Sequence, residues 1–218
     1  MKPDQERVKG IQDLGAPSNK KDLQKNLGII NFLRNFIPNL SEIISPFRDL
    51  LKNDVEWLWT QKHQELLDKI KSIISNATIL VPFDPKKQIE IQCDASKDAL
   101  GCSLMQDGKP VLYASRSLSQ TETNYAQIEK ELLAVVFACN KLHNYIYGYN
   151  VKIYTDHQPL ISLIRKDIEK IKNNRLRHLR MKLLLYDYEL NHHQDQKCMR
   201  LIYCLEILLK EIIQIFSI

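Results

Sequence analysis

Between residues 89 and 115 the chain alternates where its flanks have a helical period, and this change of period most restricts what it can fold into. Ile89, Ile91 and Cys93 fall on one side of an extended segment, with Glu90, Gln92 and Asp94 on the other. A period of two with one apolar face is the pattern of a strand laid on a core. Residues 101–106 form a second such segment and residues 110–115 a third. Asp107-Gly108 between them predicts a two-residue hairpin, because both turn positions need positive φ.

Upstream the period is helical. Ser18 is placed to cap a helix from about Lys20 that carries Leu23, Leu27, Ile30 and Leu33. Pro38 and Asn39 break it, and Ser41 is placed to cap a short helix through Ile43, Ile44, Phe47 and Leu50. Thr60 opens a longer one through Leu66, Leu67, Ile70, Ile73 and Ile74. Beyond the hairpin a helix is expected over residues 123–147, then a strand at 151–155 and a helix at 159–165. A charged stretch at 166–174, a basic helix at 175–185 and a last strand at 186–191 follow. Strands grouped first and then alternating with helices predict an α/β fold, a mixed sheet covered by helices, preceded by a small helical unit.

Composition narrows the class. With 218 residues and 44% apolar content, the chain can bury a sizeable core, as one domain plus a smaller piece. The net charge of +5 is compatible with a polyanionic partner. Five cysteines (Cys93, Cys102, Cys139, Cys198, Cys204) are an odd set without framework spacing, and read as thiols in a reducing compartment. The N-terminus lacks the apolar core of a secretory signal. Residues 201–218 are apolar but interrupted by Glu206, Lys210 and Glu211, so no membrane span is expected. An intracellular protein, in cytoplasm or nucleus, is the corresponding expectation.

Three acids stand where catalysis needs them. Asp94 closes a strand before the small residues Ala95 and Ser96; Asp156 closes another before His157-Gln158-Pro159. Glu131 precedes Val135 by four and Ala138 by seven, which puts it inside the buried stripe of its helix, with Glu129 nearer the edge and Lys130 and Lys141 opposite. A carboxylate there must be paired, hydrogen-bonded or bound to a cation. Carboxylates converging at strand ends suit Mg²⁺, which prefers hard oxygen ligands. Two such ions about 4 Å apart activate a water and stabilise the leaving oxygen of a phosphodiester. Plainer roles are open to each acid: Asp156 as the cap of the next helix, Asp94 as a turn residue, Glu131 in an ion pair with a lysine or arginine.

The words around these acids resemble the ribonuclease H domain of Ty3/gypsy-type retrotransposon reverse transcriptases. They are Gln92-Cys93-Asp94-Ala95-Ser96, Leu100-Gly101-Cys102-Ser103-Leu104, Tyr113-Ala114-Ser115-Arg116, Glu129-Lys130-Glu131-Leu132-Leu133-Ala134 and Tyr154-Thr155-Asp156-His157-Gln158-Pro159-Leu160, in the family's order. Upstream, Leu27-Gly28-Ile29-Ile30-Asn31-Phe32-Leu33-Arg34-Asn35-Phe36 is similar to the thumb segment that ends the polymerase, and Trp57-Leu58-Trp59-Thr60 to its continuation. The resemblance implies a thumb-derived segment over residues 1–58, an RNase H-like domain over 59–192 and a non-family tail over 193–218. It implies an RNase H-like fold that cuts the RNA strand of an RNA–DNA hybrid with Mg²⁺ (or Mn²⁺), and no small-molecule substrate. Carried over by position, Asp94 and Asp156 match the first and third catalytic carboxylates and Glu131 the helical glutamate, with Glu129 the alternative two residues earlier.

Departures from the family are equally specific. The polymerase palm and its paired aspartates are missing, so the polymerase portion of the parent polyprotein is an implied partner. The family continues to an Ala-Asp word bearing a fourth carboxylate, expected near position 202; this chain reads Arg200-Leu201-Ile202-Tyr203-Cys204 there. A reading-frame shift shortly after His192 would account for the tail, and the loss of a metal ligand implies reduced activity. Arg175, Arg177, Arg180 and Lys182 on the basic helix suit hybrid phosphates or a solvated face. His192, His193, Cys198 and Cys204 fit no standard zinc spacing. Trp57, Trp59 and Phe83 read as core packing.

Overall fold

A computed structural model describes residues 5–75 and 80–192. Its first part is helical: α1 (Gln5–Gln12), α2 (Lys20–Phe32), a 3₁₀ turn at Arg34–Phe36, α3 (Leu40–Ile43), α4 (Ser45–Leu50) and α5 (Gln61–Ser75). Asn19, one residue after the expected Ser18, caps α2 by accepting the Asp22 N–H. Asn39 precedes α3 in the left-handed region, and Ile44 separates α3 from α4 where one helix was expected. At α5 the Thr60 hydroxyl and N–H both engage the ring of His63. These helices enclose a core of their own around Leu23, Ile30, Ile37, Phe47, Leu67 and Ile70. Trp57 stacks on Trp59, and Trp59 on Phe47, against that core.

Five strands form one sheet: β1 (Ile89–Ala95), β2 (Ala99–Gln106), β3 (Lys109–Ser117), β4 (Asn150–Thr155) and β5 (Asp187–His192), in the order β3-β2-β1-β4-β5. The β1-β2-β3 meander is antiparallel, while β4 and β5 add in parallel. Asp107 and Gly108 have φ of 52° and 69°, as the hairpin requires. Parallel additions need crossovers. They come from α6 (Gln127–Lys141) with α7 (His143–Ile146) before β4, and from α8 (Gln158–Arg165) and α9 (Asn174–Leu183) before β5. The single helix expected over 123–147 is a 3₁₀ turn, α6 and α7, because Tyr125 and Ala126 are extended and Leu142 leaves helical geometry.

Cys93, Ile91 and Ile89 alternate inward as a period of two demands, onto α6 residues Leu132, Val135 and Cys139. Phe83 meets Tyr145 edge-on in the same core. Every residue of β2 is buried, since α6 covers one face and α3 approaches the other. Truncating Ile91, Leu104 or Val135 to alanine would cost about 2–5 kcal/mol. The α5 residues Leu67, Ile70, Ile73 and Ile74 belong to the helical core, while Val81 and Phe83 pack on the core of the sheet. The tail over 193–218, with His193, Cys198, Cys204 and position 202, lies outside the described residues.

Candidate active site

Parallel pairing of β1 with β4 places two acids side by side. The register ends at Gln92 with Tyr154; Asp94 stands two residues further along β1 and Asp156 just past the end of β4, near enough for its charge to act on Asp94. Asp94 is inside β1, so it is no turn residue, and burial followed by the charge of Asp156 raises its carboxyl above the ordinary range. Asp156 is exposed just past β4 and does not cap α8, whose N-cap is His157 without a side-chain bond. His192 Nε2 lies 3.1 Å from the Asp156 carbonyl oxygen, tying β5 to the same corner.

Glu131 reaches this corner from α6. It is 3% exposed, and among the described residues no basic side chain pairs with it. The Gln127 amide donates to Glu131 Oε1 at 2.5 Å and to the Ala95 carbonyl at 3.2 Å, joining α6 to the end of β1. Glu131 Oε2 is buried without a hydrogen-bond partner among the described residues. Burial, then the charges of Asp156 and Asp94, push its carboxyl up to about 8 despite the bond from Gln127. An orphaned acceptor beside two more carboxylates is the donor chemistry a hard divalent cation neutralises. Asp94, Glu131 and Asp156 therefore fit such an ion by chemistry. Among the described residues, no three His, Cys, Asp or Glu side chains are gathered to metal-holding distance as they stand.

Glu129, the alternative two residues earlier, is already occupied. Its Oε2 accepts the Ala126 N–H at 3.0 Å, Asn173 donates to Oε1 at 2.9 Å, and Arg175 Nη1 reaches both oxygens at 3.0 and 2.9 Å. Burial alone would raise this carboxyl; the bonds from Asn173, Ala126 and Arg175, with the arginine charge, bring it below the usual range. Lys130, expected on the solvent side, is buried and donates to the Lys97 carbonyl at 3.1 Å, because every residue of α6 from Glu129 to Val136 is buried.

Comparison with known proteins decides the family. Residues 84–188 match the family described as the RNase H-like domain found in reverse transcriptase. Over 197 residues, 87% of this chain, the sequence is 34% identical to the Transposon Tf2-3 and Tf2-4 polyproteins of Schizosaccharomyces pombe. The sheet-bearing part of this chain belongs to the reverse-transcriptase RNase H-like family. The chain spans 15% of the length of those polyproteins. In structure it is similar to the foamy viral protease-reverse transcriptase dRH in complex with ds DNA, with TM-score 0.73 and 27% identity, covering 88% of this chain and 35% of that one. The foamy viral protease-reverse transcriptase in complex with RNA/DNA hybrid gives TM-score 0.72 and 27% identity, covering 88% and 27%.

Within this RNase H-like domain the basic helix is α9. Arg175 holds Glu129 and lies 3.9 Å from the centroid of the Tyr125 ring. Arg180 donates to the Leu163 and Lys166 carbonyls, and Arg177 to Asn174 Oδ1 at 2.6 Å. Two residues at the site were not singled out from sequence. Gln127 had a signal, standing one turn before Glu131 on the same helix face. Asn39, which lines a cleft with Asp94 from the helical unit, had none. Among the described residues no helix is long and apolar enough to cross a membrane.

Proposed function

We propose that this chain is the RNase H-type endonuclease portion of a retrotransposon polyprotein, hydrolysing the RNA strand of RNA–DNA hybrids at a reduced rate. The observation that carries the reading is Glu131 Oε2, a buried carboxylate oxygen with no partner beside Asp94 and Asp156. The family resemblance supplies the reaction class, and the similarity to a reverse transcriptase determined with an RNA/DNA hybrid supports that substrate.

Asp94 and Asp156, from neighbouring strand ends, and Glu131, from α6, would hold Mg²⁺ (or Mn²⁺). When bound, the metal would supply Lewis acidity to activate a water and stabilise the leaving oxygen of the phosphodiester. The protein's own residues set the geometry. Gln127 fixes one oxygen of Glu131 and leaves the other free to ligate. The Arg175–Glu129 grip holds the first turn of α6, and with it Glu131, in place. Arg177, half-buried, and the exposed Lys182 on α9 would offer charge to hybrid phosphates. The fourth family carboxylate has no counterpart at Ile202, which lowers the negative charge available to a second ion.

The test is cleavage of a labelled RNA–DNA hybrid by the purified chain with Mg²⁺ or Mn²⁺, beside an Asp94→Asn control. Slow cleavage that the control abolishes is the expected result. Folded protein without cleavage would favour a catalytically dead transposon remnant that at most binds nucleic acid, and the departure from the family after His192 is what makes that the second reading.

A further inference from the structure

Asn39 stands between the Arg34–Phe36 turn and α3, directly after Pro38, with φ 47° and ψ 32°. That left-handed conformation turns the chain toward the face of β2 away from α6. Its side chain lies against Gly101 so closely that a methyl group there would come within 2.1 Å of Asn39 Oδ1. Gly101 is the cross-strand partner of Asp94 on β1 and of Ser115 on β3. Asp94, Gly101 and Ser115 thus form one row across three strands.

The helical unit touches this row at both ends. The Asn39 side chain and the Asp94 carboxylate line one small cleft with Ser96 and Leu100, close enough for Asn39 to hold the Asp94 carboxyl down against its burial. At the other end the Ser41 N–H donates to Ser115 Oγ at 3.0 Å, and Ser115 Oγ donates to Ser41 Oγ at 3.2 Å. Arg48 reaches Ser117, the next inward position along β3. The seryl contacts set the height and register of α3, and Asn39 is the side chain that meets the acid. A carboxylate at a strand end samples several rotamers unless a donor selects one, and metal ligands are oriented by such neighbours.

We propose that Asn39 is a positioning residue for Asp94, and that Gly101 is glycine so that the Asn39 amide can reach it. The helical unit then completes the nuclease site across the boundary between the two cores. This inference rests on Asp94 holding a metal ion, as proposed above.

The experiment measures Mn²⁺ binding to the full chain, by titration calorimetry or water proton relaxation, together with thermal midpoints. Asn39→Gly keeps the left-handed backbone unstrained and removes only the amide. Gly101→Ala leaves Asn39 present but puts a methyl where its amide sits. Asp94→Asn reports on the metal site itself. Each of Asn39→Gly and Gly101→Ala is expected to weaken Mn²⁺ binding about tenfold. The double variant should bind no more weakly than either single one, since both remove the same contact. Wild-type Mn²⁺ affinity in Asn39→Gly, with affinity lost in Asp94→Asn, would overturn the positioning role alone, whatever happens to the thermal midpoint. Losses that multiply in the double variant would also overturn it, because the two positions would then act independently. Unchanged Mn²⁺ binding in Asp94→Asn would remove the metal reading, and this inference with it.

Discussion

Arg175 on α9 closes on Glu129 at the start of α6 with two hydrogen bonds of 3.0 and 2.9 Å, while its guanidinium lies over the ring of Tyr125. The pair locks together two helices that approach the sheet from different crossovers. Removing the arginine leaves a buried carboxylate with Asn173 and the Ala126 N–H as its remaining donors. Arg175→Ala is expected to lower stability by about 2 kcal/mol in urea unfolding. Arg175→Lys should recover only part of it, because an ammonium cannot lie flat on the Tyr125 ring as the guanidinium does. An unchanged unfolding midpoint in Arg175→Ala would refute the locking role.

Glu131 predicts an unusual pH dependence. Its carboxyl sits at about 8 in the folded chain against 4.5 ordinarily, so the folded state binds the extra proton between those values. The folded state is then progressively penalised as pH rises from 4.5 to 8, and the penalty is complete above 8. In metal-free buffer Glu131→Gln should equal wild type near pH 4.5 and exceed it by more than about 1 kcal/mol at pH 8.5. Parallel stability curves for the two proteins across that range would count against the environment described for Glu131.

Divalent metal should offset that penalty. At pH 8, added Mn²⁺ is expected to raise the thermal midpoint of the wild-type chain, since a ligand that binds only the folded state stabilises it by mass action. The shift should shrink in Asp94→Asn, Glu131→Gln and Asp156→Asn. Equal shifts in all four proteins would place the metal elsewhere.

Glu122 gives the opposite pH sign. Arg116 grips it at 2.7 and 2.8 Å, and this bond, opposed by burial and helped by the Ser119 N–H, lowers the carboxyl to about 2. Its stabilisation is present in full above 4.5 and disappears as pH falls toward 2. Glu122→Gln should therefore be less stable than wild type at pH 7, with the gap narrowing between pH 4.5 and 2. A gap that persists at pH 2 would exclude the ionised pair as its source.

At the hairpin, both central residues occupy positive φ. Gly108→Val should cost about 1–3 kcal/mol, as strain for a branched residue in the left-handed region. Asp107→Asn should cost little, because asparagine tolerates the same conformation and the Lys87–Asp107 pair is exposed. Equal losses at the two positions would mean that the turn is held by the ion pair and not by backbone preference.

Local chemistry made much of this protein readable without a structure. The period-two stretch at Ile89–Cys93, the Asp107-Gly108 turn and the helical stripe through Leu132, Val135 and Cys139 each report a backbone preference or a buried face over a few residues. The same local logic put Glu131 on a buried face, and motif order tied it to Asp94 and Asp156. What the sequence could not show is which donor meets which acceptor between distant segments. Glu129 and Glu131 share a motif, yet only packing against α9 commits the first to Arg175, while the second keeps an oxygen without a partner. Lys130 looked solvent-facing until the folded chain enclosed α6 and turned its amine to the Lys97 carbonyl. Asn39 and Asp94 share a cleft only because β1, β2 and β3 align Asp94, Gly101 and Ser115 in one row beneath α3. Periodicity records the face a residue turns inward, whereas partnership depends on register and on the docking of separate elements, and these are properties of the folded chain alone.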